Sequence, residues 1–160
     1  MTSSRGGKQI LIHGMLFVLA GLLWGLVVPH TPFPRLALSA HIGFEGSGLL
    51  FTVLALLLLK LPHRVGGKSI AVMLLAAWLT WVMLASEVGN SWWGTTQILP
   101  IAAHQAGATG GTPSQELFVK LAHIVAGLSL IVAWLLLLVG FAKTPITARV
   151  DEKLMGPAGG

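Results

Sequence analysis

Four apolar stretches, about residues 10–28, 36–61, 70–90 and 117–142, decide what this chain can fold into. A helix rising 1.5 Å per residue needs about 20 residues to cross about 30 Å of hydrocarbon, and each stretch supplies that length. Breakers separate them: "PHTPFP" after the first, Pro62 and "HRVGGK" after the second, "KTP" after the last. The chain therefore reads as all-α, a single integral-membrane domain built as a four-transmembrane-helix bundle. Composition agrees, because 160 residues that are 54% hydrophobic and 9% charged leave too little polar surface to cover a soluble globule. The one long connection is 91–116, and residues 143–160 form a tail.

Charge sets an orientation. Arg5, Lys8, Lys60, Arg64, Lys68, Lys143, Arg149 and Lys153 fall on one side of the bundle, while Arg35 and Lys120 fall on the other. The positive-inside rule then places both termini in the cytoplasm of a bacterial cell, with the protein a multi-pass component of the inner membrane. The net charge of +5 is dispersed among loops and not gathered on one face, which argues against nucleic acid as a partner. The apolar part of the first stretch is longer than that of a signal peptide, so it is retained as a mature helix. No cysteine is present, which excludes disulfides, iron–sulfur clusters and thiolate chemistry.

Several ionisable side chains fall within these spans, and such groups are costly enough in a membrane to be functional candidates. In "AHIGFEGSGLLFTVLALLLL" (40–59), His41 and Glu45 share a helix face at i and i+4. With Leu36 as the boundary, they lie about 7 and about 13 Å inside the outer end of the second span. The third span brings Glu87 and Asn90 to the same outer layer, and the fourth brings Lys120 and His123. His13 lies near the opposite boundary. Each residue also has a structural role open to it. Trp92 and Trp93 suit an interfacial aromatic belt, Lys120 suits snorkelling, and either histidine suits a hydrogen bond to a neighbouring helix. The stripe Ser39, Gly43, Ser47, with Gly48 beside it, lets another helix or a flat ligand approach closely, as does "GLLWG" at 21–25 for a second copy of the chain.

Neutral imidazole is a common axial ligand of haem. Without "CxxCH", only noncovalent haem b is open. The sequence offers no "HExxH", no "GxSxG" elbow and no phosphate-binding glycine motif, and "AGATGGT" (106–112) reads as a flexible outer loop. Two further possibilities stay open on the residues alone. One is a b-type cytochrome electron-transfer anchor with His41 and His123 as paired ligands. The other is a transporter or assembly subunit using Glu45 and Glu87 as ion sites.

The stretch "PRLALSAH" (34–41), the following Gly48, "LPIAAHQ", "QELFVKL" and the four spans resemble the hydroxylaminobenzene mutases and the related styrene oxide isomerases. The resemblance implies a homotrimer of four-helix subunits, with haem b bound between subunits by a histidine matched here by His41. Ser47-Gly48 stands where those isomerases carry Asn-Gly, and this chain has no tyrosine to match theirs near the end of the third span. The mutase activity is therefore preferred to epoxide-to-aldehyde isomerisation. It implies an isomerase acting on a small aromatic substrate, rearranging an aryl hydroxylamine to an ortho-aminophenol with ferric haem as Lewis acid. On this resemblance His41 is the metal ligand, Gly43, Gly48 and His123 line the cofactor, and Glu45, Ser47, Glu87 and Asn90 are candidate catalytic groups.

Overall fold

The structure, a computed structural model, describes residues 3–144. Arg149, Lys153 and most of the expected tail lie outside them. The described residues form five α-helices and one 3-10 turn: α1 (Ser3–Val27), the turn Val28–His30, α2 (Pro34–Lys60), α3 (Gly67–Trp93), α4 (Pro100–Gln105) and α5 (Pro113–Ala142). Four of them, α1, α2, α3 and α5, are long and apolar enough to cross a membrane.

The spans are longer than hydropathy alone indicates, for identifiable reasons. α2, α4 and α5 each carry proline in the first turn, where the missing N–H costs nothing and the fixed φ suits a helix. Pro34 and Pro113 therefore start helices that the apolar boundary places later. α5 also has a capping box, in which Gln115 N–H reaches the Thr112 hydroxyl and the Gln115 side chain receives the Thr112 N–H. α3 runs past Asn90 to Trp93 and stops at Gly94, whose φ of +64° is readily adopted only without a Cβ. The 91–116 connection contains the short helix α4, which its polar composition does not reveal. Its Ala102 and Ala103 pack on Leu36 of α2, and Arg35 Nε donates to Gln105 Oε1 at 2.7 Å.

The spans alternate in direction. The start of α1, the end of α2, the start of α3 and the end of α5 share one end of the bundle, where Arg64 N–H donates to Gly140 O at 3.1 Å. The connection containing α4 closes the other, hereafter the loop end. α1 and α2 form the most intimate pair. A Cβ on Gly14 would lie 2.6 Å from Thr52 Oγ1, and one on Gly48 would lie 2.5 Å from Val18 Cγ2 and 2.9 Å from Gly14 O. Small residues at such crossings let backbones approach and dispersion accumulate, which substitutes for the hydrophobic drive that lipid removes. Gly21 and Gly25 belong to this same seam, so "GLLWG" serves packing within the chain.

α3 lies against α2, α1 and α5. Phe17 of α1 stacks near Trp81 of α3 (4.3 Å) and Phe51 of α2 (5.6 Å), and Trp81 Nε1 donates to His13 Nδ1 at 3.0 Å. His13 is thereby a partner for a half-buried indole. α5 docks on α3 through a face that includes the small residues Ala122, Ala126 and Ala133, and its Gly140 meets Val65 of the α2–α3 connection. Its remaining faces expose Leu117, Leu121, Leu128, Ile131, Leu135 and Leu138, as a lipid-facing helix does.

The Gly14–Gly48 crossing has backbone on both sides and cannot yield by rotating a side chain. Gly48→Ala is expected to lower stability by about 1–3 kcal/mol, read as a drop in the melting temperature of the detergent-solubilised protein.

Candidate functional site

The residues expected at one depth do share the loop-end half of the bundle, but the helices divide them between two faces of α2. On the first face, His41 and Glu45 look toward α1. His41 Nδ1 lies 2.8 Å from Gly21 O; a carbonyl only accepts, so Nδ1 carries the hydrogen. This carbonyl is reachable because Gly25, one turn further on, has no side chain to cover it. A Cβ there would stand 3.0 Å from His41 Cε1. The bond fixes the tautomer and leaves Nε2 as the nitrogen with a free lone pair. Glu45 Oε1 lies 3.7 Å from that nitrogen, and the side chains of His41 and Glu45 are 24% and 38% exposed. The face is thus half open toward the surroundings of the bundle.

On the second face, Gly43 looks toward α3. A Cβ on Gly43 would come 3.0 Å from Leu84 Cδ2 and 3.1 Å from Glu87 Oε2, so the stripe anticipated for a close approach admits α3 and its carboxylate. Glu87 Oε1 lies 2.9 Å from His123 Nε2 on α5, and His123 Nδ1 lies 2.7 Å from Val119 O. Both ring nitrogens of His123 are therefore engaged. With either placement of the proton shared with Glu87, neither nitrogen keeps a free lone pair for a metal, and the paired-histidine arrangement with His41 finds no support here. Ser47 is buried one turn beyond Gly43, and Gly48 is committed to the α1 crossing.

Asn90 sits one turn from Glu87 toward the loop end, and its Oδ1 accepts from Thr95 N–H at 2.7 Å. Trp92 is exposed and lies 5.7 Å from Trp24, Trp93 meets Phe118 at 6.1 Å, and Lys120 is exposed. These positions match the belt and snorkelling roles.

Glu116 is the residue that sequence reasoning passed over. Its buried carboxylate accepts from Thr96 N–H (2.9 Å), Gln97 N–H (3.1 Å) and Gly111 N–H (3.2 Å), and an ionised carboxylate, which only accepts, suits such a set of donors. It joins both strands of the loop to α5, so "AGATGGT" is tethered at Gly111 and capped at Thr112. The pattern T-x-x-Q before an apolar run signals the helix start. Nothing in the spacing signals that a neighbouring carboxylate finds its donors twenty residues upstream.

Among the described residues, no group of three or more His, Cys, Asp and Glu is arranged to hold a bare metal ion. A haem needs only one protein nitrogen, and His41 has the geometry for it: one nitrogen braced by a carbonyl, the other unencumbered except by a half-exposed carboxylate.

Membrane-length helices that join a histidine to a carboxylate between α3 and α5 and present a second histidine at a half-open face define a multi-pass membrane protein. The chain belongs to the styrene oxide isomerase family, which matches residues 7–142. It is similar to the hydroxylaminobenzene mutase HabB of Ectopseudomonas oleovorans, with 29% identity over 158 residues that cover 98% of this chain and 93% of that protein. No solved structure matches it. The protein is accordingly a membrane isomerase.

Glu87 is buried and His123 largely so, and removing one strands the other. Glu87→Leu is expected to cost about 3–5 kcal/mol, and the double change Glu87→Leu/His123→Leu less than the sum of its parts. Thermal unfolding of the four proteins in one detergent measures the difference.

Proposed function

We propose that this isomerase rearranges an aryl hydroxylamine to an ortho-aminophenol, and that His41 holds ferric haem b for the purpose. The bond from His41 to Gly21 O carries the cofactor assignment, because it turns a free Nε2 toward a half-open face. When bound, haem supplies Lewis acidity toward the hydroxylamine oxygen. The near full-length likeness to a hydroxylaminobenzene mutase supports the choice of substrate.

The reaction has no net redox change. The N–O bond breaks, a C–O bond forms at the ortho carbon, the ortho hydrogen leaves as a proton, and nitrogen gains one. A base that takes the first proton and returns one at nitrogen balances the sequence. We assign this role to Glu45, which shares the face of His41 at 3.7 Å, whereas Glu87 projects from α3 toward Gly43 of α2 and His123 of α5 and is engaged on one oxygen by His123. The half-open face of His41 and Glu45 lies within a membrane-length span, where an aromatic ring can arrive from lipid and exclusion of water protects a ring that carries positive charge while the oxygen migrates.

The family's own description favours one competing activity, epoxide-to-aldehyde isomerisation. The described cations, with Arg5, Lys8, Lys60, Arg64, Lys68 and Lys143 at the terminal end against Arg35 and Lys120 at the loop end, support cytoplasmic termini and an inner-membrane location. Association into a trimer follows the family resemblance.

Protein purified from haem-replete cells is expected to show a Soret band that His41→Ala abolishes together with turnover; a colourless wild-type preparation defeats the cofactor assignment. Phenylhydroxylamine and styrene oxide assayed side by side separate the two activities, with 2-aminophenol expected from the first. Glu45→Gln is expected to retain the Soret band while lowering kcat by about 100- to 10,000-fold.

A further inference from the structure

The Glu87–His123 pair takes no part in the chemistry assigned to His41 and Glu45, yet it sits in a column of polar groups between α3 and α5. Two cross-links bound the column. Glu87 to His123 is the deeper, and Glu116 to Thr96 and Gln97 closes the loop end. They stand seven residues apart on α5, about 10 Å, and the intervening face of α5 is the buried and apolar Val119 and Ala122. On the α3 side, Asn90 lies one turn from Glu87 toward the loop end, and Thr95, whose N–H it binds, follows just beyond the end of that helix.

Both are 1% exposed, and Asn90 Nδ2 and Thr95 Oγ1 have no hydrogen-bond partner. Turning the amide over does not relieve this, because Oδ1 is fixed by Thr95 N–H at 2.7 Å and an exchanged NH2 would oppose one donor with another. A buried polar group left unpaired loses its hydration with nothing in return. An amide with free hydrogens beside a hydroxyl that both donates and accepts offers the partners by which a buried water is held. The site is roofed: a Cβ on Gly111 would lie 2.9 Å from Thr95 Cγ2, and Gly111 N–H is tied down by Glu116 at 3.2 Å.

We propose that Asn90 and Thr95 hold one buried water molecule, and that this water, beneath the loop fastened by Glu116, is the route by which the Glu87–His123 pair exchanges its shared proton with solvent at the loop end. Each step breaks one O–H or N–H bond and forms another, so nothing but a proton crosses. The route opens at one end of the bundle only. Below the pair, the packing of α3 against α5 continues through apolar residues such as Ala126, Ala133 and Leu137. Glu116 is a positioning residue in this arrangement, since it holds the roof and touches neither the water nor the pair.

The test uses the full chain in phosphatidylethanolamine–phosphatidylglycerol vesicles, labelled with 15N-histidine and 15N-asparagine. It requires no haem and no substrate, so it stands or falls separately from the assignment of His41. The His123 resonance is the one lost in His123→Gln. On transfer to D2O, Asn90→Leu/Thr95→Val is expected to slow exchange of the His123 ring proton at least tenfold, and Glu116→Gln to accelerate it. A water cross-peak to the Asn90 side-chain amide is expected in the wild type and lost in Thr95→Val, which keeps the backbone N–H bond to Asn90 and serves if the double variant does not fold. Unchanged or faster exchange in the folded double variant, or absence of the water cross-peak in the wild type, overturns the proposal.

Discussion

The close crossing of α1 over α2 is the contact on which the rest of the molecule depends. Hydrocarbon gives apolar helices no reason to prefer one another to lipid, so association requires backbones near enough for dispersion and polar contacts to accumulate. Gly14, Gly21, Gly25 and Gly48 allow that approach. The same absence of side chains uncovers the carbonyl of Gly21, which an imidazole on α2 reaches at 2.8 Å. Packing and polar chemistry are therefore one feature: bulk at Gly25 would both part the helices and displace the ring of His41.

A second constraint acts at the loop end. A membrane protein has to satisfy the polar groups it buries without help from bulk water. α3 and α5 do so by pairing Glu87 with His123, and the connection between them does so by gathering three backbone N–H groups on Glu116. Among the described residues, the buried side-chain groups left without a partner are at Asn90 and Thr95, near the loop end of α3. His13 is handled similarly near the opposite end, where the indole of Trp81 donates to it.

The two faces of α2 explain how one helix serves two purposes. His41 and Glu45 are four residues apart and turn together toward α1, while Gly43 falls between them in sequence and turns toward α3. A face that is half open can admit a ligand from the membrane, and a face closed by α3 and α5 cannot. The chemistry proposed for His41 and Glu45 would therefore not compete with the Glu87–His123 pair.

Residue types and their order were sufficient for the four spans, their alternating direction, the end of the bundle to which His41, Glu45, Glu87, Asn90 and His123 belong, and the distinctive "PRLALSAH" segment. Hydrophobic length, proline and charge act locally and leave a trace in one dimension. Tertiary structure alone decided that Glu87 meets His123 and not His41, that "GLLWG" faces α2 within the chain, that α4 forms in the connection, and that Glu116 fastens the loop. Each of these depends on the rotation of one helix about its axis relative to another. That rotation is set by which small residues interlock across the seam, a property of pairs of helices that neither sequence carries by itself.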